Sequence, residues 1–213
     1  MSRRTESIST ILFDWDGTLV DSAQLGLVAY EKSFAALGVP FDHEAYRAVY
    51  SPNWLTVYEG LGLPKEHWQR ADELWTQHYD EQSAKLIKGA GETVAEIKQK
   101  GYRLGVVSSG NACRVNREIN ELGLAGIFEV VICHEQIRNR KPHPEGIEIA
   151  VQQLRVAATQ TAYVGDTPED IQMGKSANVT TVGVLSTYPT SWKLQSSEPD
   201  IYLESFADLT KHF

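Results

Sequence analysis

The chain has 213 residues, 42% of them hydrophobic, with 20 basic and 28 acidic side chains and a net charge of −8. That composition suits one sizeable core, or a core carrying a smaller insertion, and is too apolar for a disordered chain. The acidic balance and the absence of any basic block argue against nucleic acid or an anionic membrane as partner, so an anionic ligand needs compensation from a metal or a well-placed lysine.

Arg3 and Arg4 are followed by no apolar stretch of signal length, and no run approaches the roughly 18 apolar residues of a membrane span. The run Ile8 to Phe13 is rich in β-branched residues and too short for an ordinary helix, so it predicts a strand ending at Asp14-Trp15-Asp16-Gly17-Thr18. Beyond Asp21, Leu25, Val28, Ala29, Phe34 and Leu37 form a helical stripe that stops at Gly38-Val39-Pro40. Ser51-Pro52 reads as the cap and first turn of a second helix, which breaks at Gly60 to Pro64. Lys65 to Ile87 reads as one long helix with Trp68, Ala71, Leu74, Trp75 and Tyr79 at spacings of three or four. From Lys88 the rhythm alternates: helix 92–100, strand 102–107, helix 111–122, strand 129–132, helix 144–154, strand 161–164, helix 168–177, strand 180–184. The pattern implies an α/β fold, a Rossmann-like doubly wound parallel sheet with an inserted small α-helical cap. The core spans 1–20 and 88–213, and the cap spans 21–87.

Polar clusters follow four of the predicted strands, where open α/β sheets bind ligands. They are Asp14 and Asp16, then Ser108-Ser109-Gly110, Arg140-Lys141-Pro142-His143-Pro144, and Gly165 to Asp170. Two carboxylates one residue apart point to one side of an extended chain and can share a divalent cation and one substrate atom. Singly, each cluster has a plainer explanation. Asp, Gly and Thr are turn residues, Ser-Ser-Gly caps helices, Lys-Pro-His-Pro makes a rigid loop, and Thr167-Pro168 opens a helix well. Their joint occurrence on successive strands outweighs those explanations.

DxDGTLxDS at Asp14 to Ser22, Ser108, Lys141-Pro142 and GDxxxD at Gly165 to Asp170 together resemble the haloacid dehalogenase superfamily across nearly the whole chain. The nearest likeness is to its phosphoglycolate-phosphatase-like branch, subfamily IA. The resemblance implies a Mg2+-dependent phosphatase acting on a small phosphorylated metabolite, phosphoglycolate-like or a sugar phosphate, through an aspartyl-phosphate intermediate. It implies Asp14 as nucleophile and Asp16 as general acid and base, with a raised Asp16 pKa expected from desolvation and its neighbouring carboxylate. Ser108, Ser109 and Lys141 then hold phosphate oxygens. Asp14, Asp166 and the backbone carbonyl of Asp16 hold the metal. Asp170 acts through a water or orients Lys141, and Thr18 shapes the loop.

A phosphosugar mutase or an inorganic pyrophosphatase of the same fold is the alternative, as is a non-catalytic binding module. A mutase of this type carries a cap histidine that falls near Gly26 here. His43, His67, His78 and His143 read as surface or half-buried residues, and Trp54, Trp68 and Trp75 as cap core, with one of them a candidate for the pocket. Cys113 and Cys133 lack CxxC spacing and suggest neither disulfide nor zinc, which fits a reducing cytoplasm. Oligomeric state is left open.

Overall fold

Six strands form one parallel sheet in the computed structural model, which describes residues 7–213; Arg3 and Arg4 lie outside the described residues. They are β1 (Thr10–Phe13), β2 (Arg103–Val107), β3 (Val130–Ile132), β4 (Thr161–Gly165), β5 (Thr180–Val184) and β6 (Ile201–Leu203), in the order β3-β2-β1-β4-β5-β6. The chain builds outward from β1 to one side and then crosses to the other, so the direction of winding reverses at β1. Loops diverge there and leave a crevice at the carboxyl ends of the strands. Phe13 pairs with Val106 on one side and Val164 on the other, which delivers Asp14 into that crevice.

Alternation along the strands sorts the core. Ile11 and Phe13 face α5 (Ala90–Gln99) and α6 (Ala112–Glu121), while Leu12 faces α7 (Glu145–Leu154) and α8 (Pro168–Ser176). Both faces are covered, as a parallel sheet requires.

The segment between β1 and α5 contains α1 (Ala23–Ala36), α2 (His43–Val49), α3 (Trp54–Gly60) and α4 (Trp68–Asp80). It has its own cluster of Tyr30, Phe34, Tyr46, Val57, Tyr58, Leu63 and Ala71. Its two ends are stitched together: Val20 bridges Leu86, Ile87 N donates to Leu19 O at 2.9 Å, and Asp21 N donates to Lys85 O at 2.9 Å.

Four local expectations change. The long helix over 65–87 is a 3-10 turn at Lys65–His67 followed by α4, which ends at Asp80 because the chain must turn back to meet residues 19–21. The cap of α3 is Asn53, whose side chain accepts from Leu55 N at 3.3 Å, rather than Ser51. Helix α2 was not foreseen, although Asp42 is a plain N-cap that accepts from the amides of Glu44 and Ala45. Strand β6 is three residues long, too short to show alternation.

Candidate active site

Asp14 leaves β1 with its amide donating to Val164 O at 2.8 Å, and its buried carboxylate accepts from Lys141 Nζ at 2.5 Å. Lys141 also donates to Asp170 Oδ1 at 2.7 Å. Asp166, the first acid after β4, is fully buried; Thr18 Oγ1 donates to its Oδ1 at 3.2 Å and Ser186 Oγ to its Oδ2 at 2.6 Å. Carboxylate oxygens of Asp14, Asp166 and Asp170 all lie within 4.8 Å of one another.

Charge in this cluster is unbalanced. Burial pushes the Asp14 carboxyl up to about 7, with Lys141 opposing and Asp170 adding. Burial and then the neighbouring Asp170 and Asp14 push Asp166 well above the usual carboxylate range. Burial also disfavours ionised Asp170, but Lys141 and Thr167 outweigh it and hold that carboxyl low. One ammonium thus stabilises Asp170 as an anion and leaves Asp14 and Asp166 in want of positive charge. An all-oxygen donor set with that deficit fits a hard divalent cation.

Asp170 is fully engaged elsewhere. Its Oδ1 also accepts from Tyr163 OH, and its Oδ2 accepts from the Thr167 amide at 3.0 Å and hydroxyl at 2.6 Å. The reciprocal capping of α8 and the anchoring of Lys141 are therefore one arrangement, and the plain helix-cap explanation holds alongside the site.

Asp16 departs from expectation. Its carboxylate is clasped by Arg114, Nη2 to Oδ2 at 2.5 Å and Nη1 to Oδ1 at 3.0 Å. Burial works to raise its pKa, but the Arg114 charge and hydrogen bonds prevail and hold it below the usual value, the reverse of the rise expected from its carboxylate neighbour. Arg114 is itself buried and reaches Glu118 at 3.2 Å, while Trp15 Nε1 donates to Glu118 at 2.6 Å. Trp15 thus packs the loop between the two aspartates.

A cavity of about 110 Å³ opens beside Asp14 and Asp16 and runs beneath the helical segment. Ser109 lines it; Ser108 lies buried below, its hydroxyl accepting from Gly110 N at 2.9 Å. Trp54 and Trp75 reach the cavity, whereas Trp68 turns into the helical segment and donates to Leu63 O. His143 is exposed, His43 pairs with Glu31 and His78 with Glu81, all away from the acids. Sequence reading passed over Arg114, Asp72, His134 and Tyr188, which line the cavity, and Ser186, which holds Asp166. A lone arginine in a helix gives no signal by spacing; only the fold brings it to Asp16.

Residues 11–184 match the haloacid dehalogenase-like hydrolase family. This chain belongs to that family. The hydrolase is 30% identical over 210 residues to the pyrophosphatase PpaX of Listeria monocytogenes serotype 4b, with 96% of each chain covered. It is 27% identical over 214 residues to the phosphoglycolate phosphatase of Pectobacterium atrosepticum, covering 95% of this chain and 91% of the other. The structure of CbbY from Rhodobacter sphaeroides in complex with phosphate superposes with a TM-score of 0.82 at 25% identity, over 95% and 96% of the two chains. The hydrolase is a phosphatase-type member with the α/β fold of its family. No helix among the described residues is long and apolar enough to cross a membrane.

Proposed function

We propose that this hydrolase cleaves a small-molecule phosphomonoester in a Mg2+-dependent reaction with Asp14 as nucleophile. The observation that carries the reading is the placement of Asp14: it ends the central strand, Lys141 touches it, Asp166 lies beside it, and it opens onto the cavity. Asp14, Asp166 and the carbonyl of Asp16 would hold Mg2+, which supplies the positive charge that Asp14 and a phosphate need in order to approach.

The chain's own residues carry the rest. A carboxylate oxygen of Asp14 attacks phosphorus, the bond to the leaving oxygen breaks, and that oxygen takes a proton from Asp16. Asp16 then removes a proton from water, which displaces Asp14 and frees inorganic phosphate. Lys141 and Ser108 stabilise the equatorial oxygens, with Ser109 at the cavity wall. Asp170 keeps Lys141 aimed at Asp14, and Thr18 keeps Asp166 in place. With Arg114 clasped to it, Asp16 is ionised and ready for the second half of the cycle; giving a proton in the first half requires release from the fork. Residues 21–87 act as a cap hinged at the Val20–Leu86 bridge and exclude water while Asp14 attacks.

The name of the Listeria relative favours a second reading, an inorganic pyrophosphatase. A mutase is disfavoured, since Gly26 lines the cavity where a mutase of this type carries histidine. The test is phosphate release from p-nitrophenyl phosphate, small phosphomonoesters and pyrophosphate, with Mg2+ or with excess EDTA. Turnover abolished by EDTA and by Asp14→Asn is expected. Activity that survives Asp14→Asn overturns the mechanism.

A further inference from the structure

Arg140 stands beside Lys141 in the chain but has no task in the proposed chemistry. Lys141 touches Asp14, whereas Arg140 stacks on Trp54 with its Cζ 3.6 Å from the ring centroid. Trp54 opens α3 and lines the cavity, so two successive residues of one core loop meet the nucleophile and the cap. A second core residue meets the same ring, because His134 packs edge-on against it at 4.9 Å. The core fixes His134 in place: its amide donates to Gly110 O at 3.3 Å, and the adjoining Glu135 accepts from Ala112 N at 3.0 Å where α6 begins.

Charge across this seam is complementary. Asp72 of α4 lines the cavity from the cap side; burial raises its carboxyl, and His134 and then Arg140 oppose the rise. Burial likewise lowers Arg140, with Asp72 and Glu135 opposing. The cap thus contributes a ring and a carboxylate, and the core a guanidinium and an imidazole.

A solvated loop arginine would be the plainer explanation, but Arg140 Nη1 is buried. A subsite for a second anion on the substrate fails on access. Arg140 Nη1 and His134 Nδ1 are both closed to solvent and without a hydrogen-bond partner, so a carboxylate or phosphate has no path to them in this conformation. The contact that Arg140 does make is its planar face on the indole, which gains strength where water is excluded.

We propose that Arg140 is a positioning residue that seats the helical cap over Asp14, acting through Trp54. The cap segment Tyr50 to Trp54 meets the core twice, Tyr50 at 5.0 Å from the Tyr188 ring and Trp54 against Arg140. Because Arg140 adjoins Lys141, the cap docks on the loop that supplies the ammonium at Asp14. The effect on turnover rests on the phosphatase reading; the contact itself does not. A seated cap holds substrate and transition state alike, so its loosening should appear in KM and spare kcat.

The experiment is a double-mutant cycle of Arg140→Ala and Trp54→Leu, with Arg140→Lys as the conservative variant. Hydrolysis of p-nitrophenyl phosphate with Mg2+ should show KM raised by about threefold to thirtyfold in each single variant, the range of a cation–π contact. The double variant should be no worse than the weaker single one. Arg140→Lys keeps the charge without the planar face and should recover only part of the loss. Additive effects, an unchanged KM, full rescue by Arg140→Lys or a loss confined to kcat would each overturn the proposal, the last by placing the effect on Lys141. The same cycle is read without substrate by hydrogen exchange of the α3 amides, which should quicken by a similar factor in either single variant and no further in the double. Unchanged or additive exchange overturns the seat. If the wild-type protein hydrolyses no phosphate ester, the phosphatase reading fails and the exchange cycle alone decides the role of Arg140. Should Arg140→Ala not fold, Arg140→Lys with Trp54→Leu forms the cycle in its place.

Discussion

Arg114 grips Asp16 with both terminal nitrogens while its guanidinium carbon lies 4.7 Å from the centroid of the Tyr79 ring. One side chain of α6 thus ties the carboxylate proposed to exchange protons to the last helix of the inserted segment. The fork also bridges Asp16 to Glu118, so two carboxylates share one guanidinium.

Arg114→Met should therefore cost stability and change the pH profile together. Removing one partner of a buried ion pair leaves uncompensated charge and costs about 3–5 kcal/mol, to be read as a lower urea midpoint at unchanged slope. Arg114→Met with Glu118→Gln should recover part of that loss. Without the guanidinium the Asp16 carboxyl binds its proton more tightly, so the basic limb of the kcat profile should move to higher pH. A wild-type midpoint and an unmoved limb in Arg114→Met would show that the fork has neither role.

Lys141→Met tests the charge balance at Asp14. Among the described residues Lys141 is the only ammonium in contact with Asp14 and Asp170; its loss would remove the proposed donor to the phosphoryl oxygens, and kcat should drop by about 10²–10³-fold. The stability cost should depend on pH. At pH 8 the carboxylates repel without compensation, whereas at pH 5 Asp14, its pKa pushed up to about 7, already carries a proton. Urea unfolding at the two pH values should show the larger loss at pH 8; equal losses would rule out charge as the cause.

The sheet and most of the site were legible because both rest on local pattern. Strands β1, β2, β4 and β5 are short apolar runs, and Asp14, Ser108, Lys141 and Asp166 follow strands in the order that a doubly wound sheet needs. Contacts made across the fold were not. Arg114 is 98 positions from Asp16, and Ser186 is 20 from Asp166, so no periodicity links either pair. The overlong helix at 65–87 shows a related limit: apolar spacing continues past Asp80, but the backbone of Lys85 and Ile87 is taken by Asp21 and Leu19.

Metal binding should be linked to pH through Asp14 and Asp166. A carboxyl whose folded pKa is raised contributes most below its ordinary value, and its contribution is lost as pH climbs from 3.8 to about 7. In EDTA Asp14 makes the protein less stable with rising pH across that window, and Asp166, also raised, acts in the same direction. Mg2+ bound at these acids would displace those protons, so its stabilisation should be small at pH 5 and large at pH 8. At a hundredfold excess over Kd the gain is about 2.7 kcal/mol, or roughly 5–10 °C for a chain of this size. Scanning calorimetry with Mg2+ or EDTA at both pH values measures it. An equal Tm shift at pH 5 and pH 8 would place the metal away from these carboxylates.

Gly17 should tolerate no side chain. Its φ of +85° is one that L-residues rarely adopt, and a Cβ there would come within 2.5 Å of both Asp166 Oδ2 and the Tyr188 ring. Neither neighbour yields easily: Thr18 and Ser186 pin Asp166, and Tyr188 OH shares a hydrogen bond with Ser22 Oγ at 3.0 Å. Gly17→Ala therefore combines backbone strain of about 1–3 kcal/mol with displacement of Asp166. A shift of an ångström in such a group can cost about 10²-fold in rate. Gly101→Ala separates the two effects, because Gly101 also has positive φ, +92°, but has open space where a Cβ would sit. Both variants should melt earlier than wild type, and only Gly17→Ala should lose Mg2+-dependent phosphate release. Equal activity in the two would mean that the Gly17 turn serves the backbone alone and does not seat Asp166.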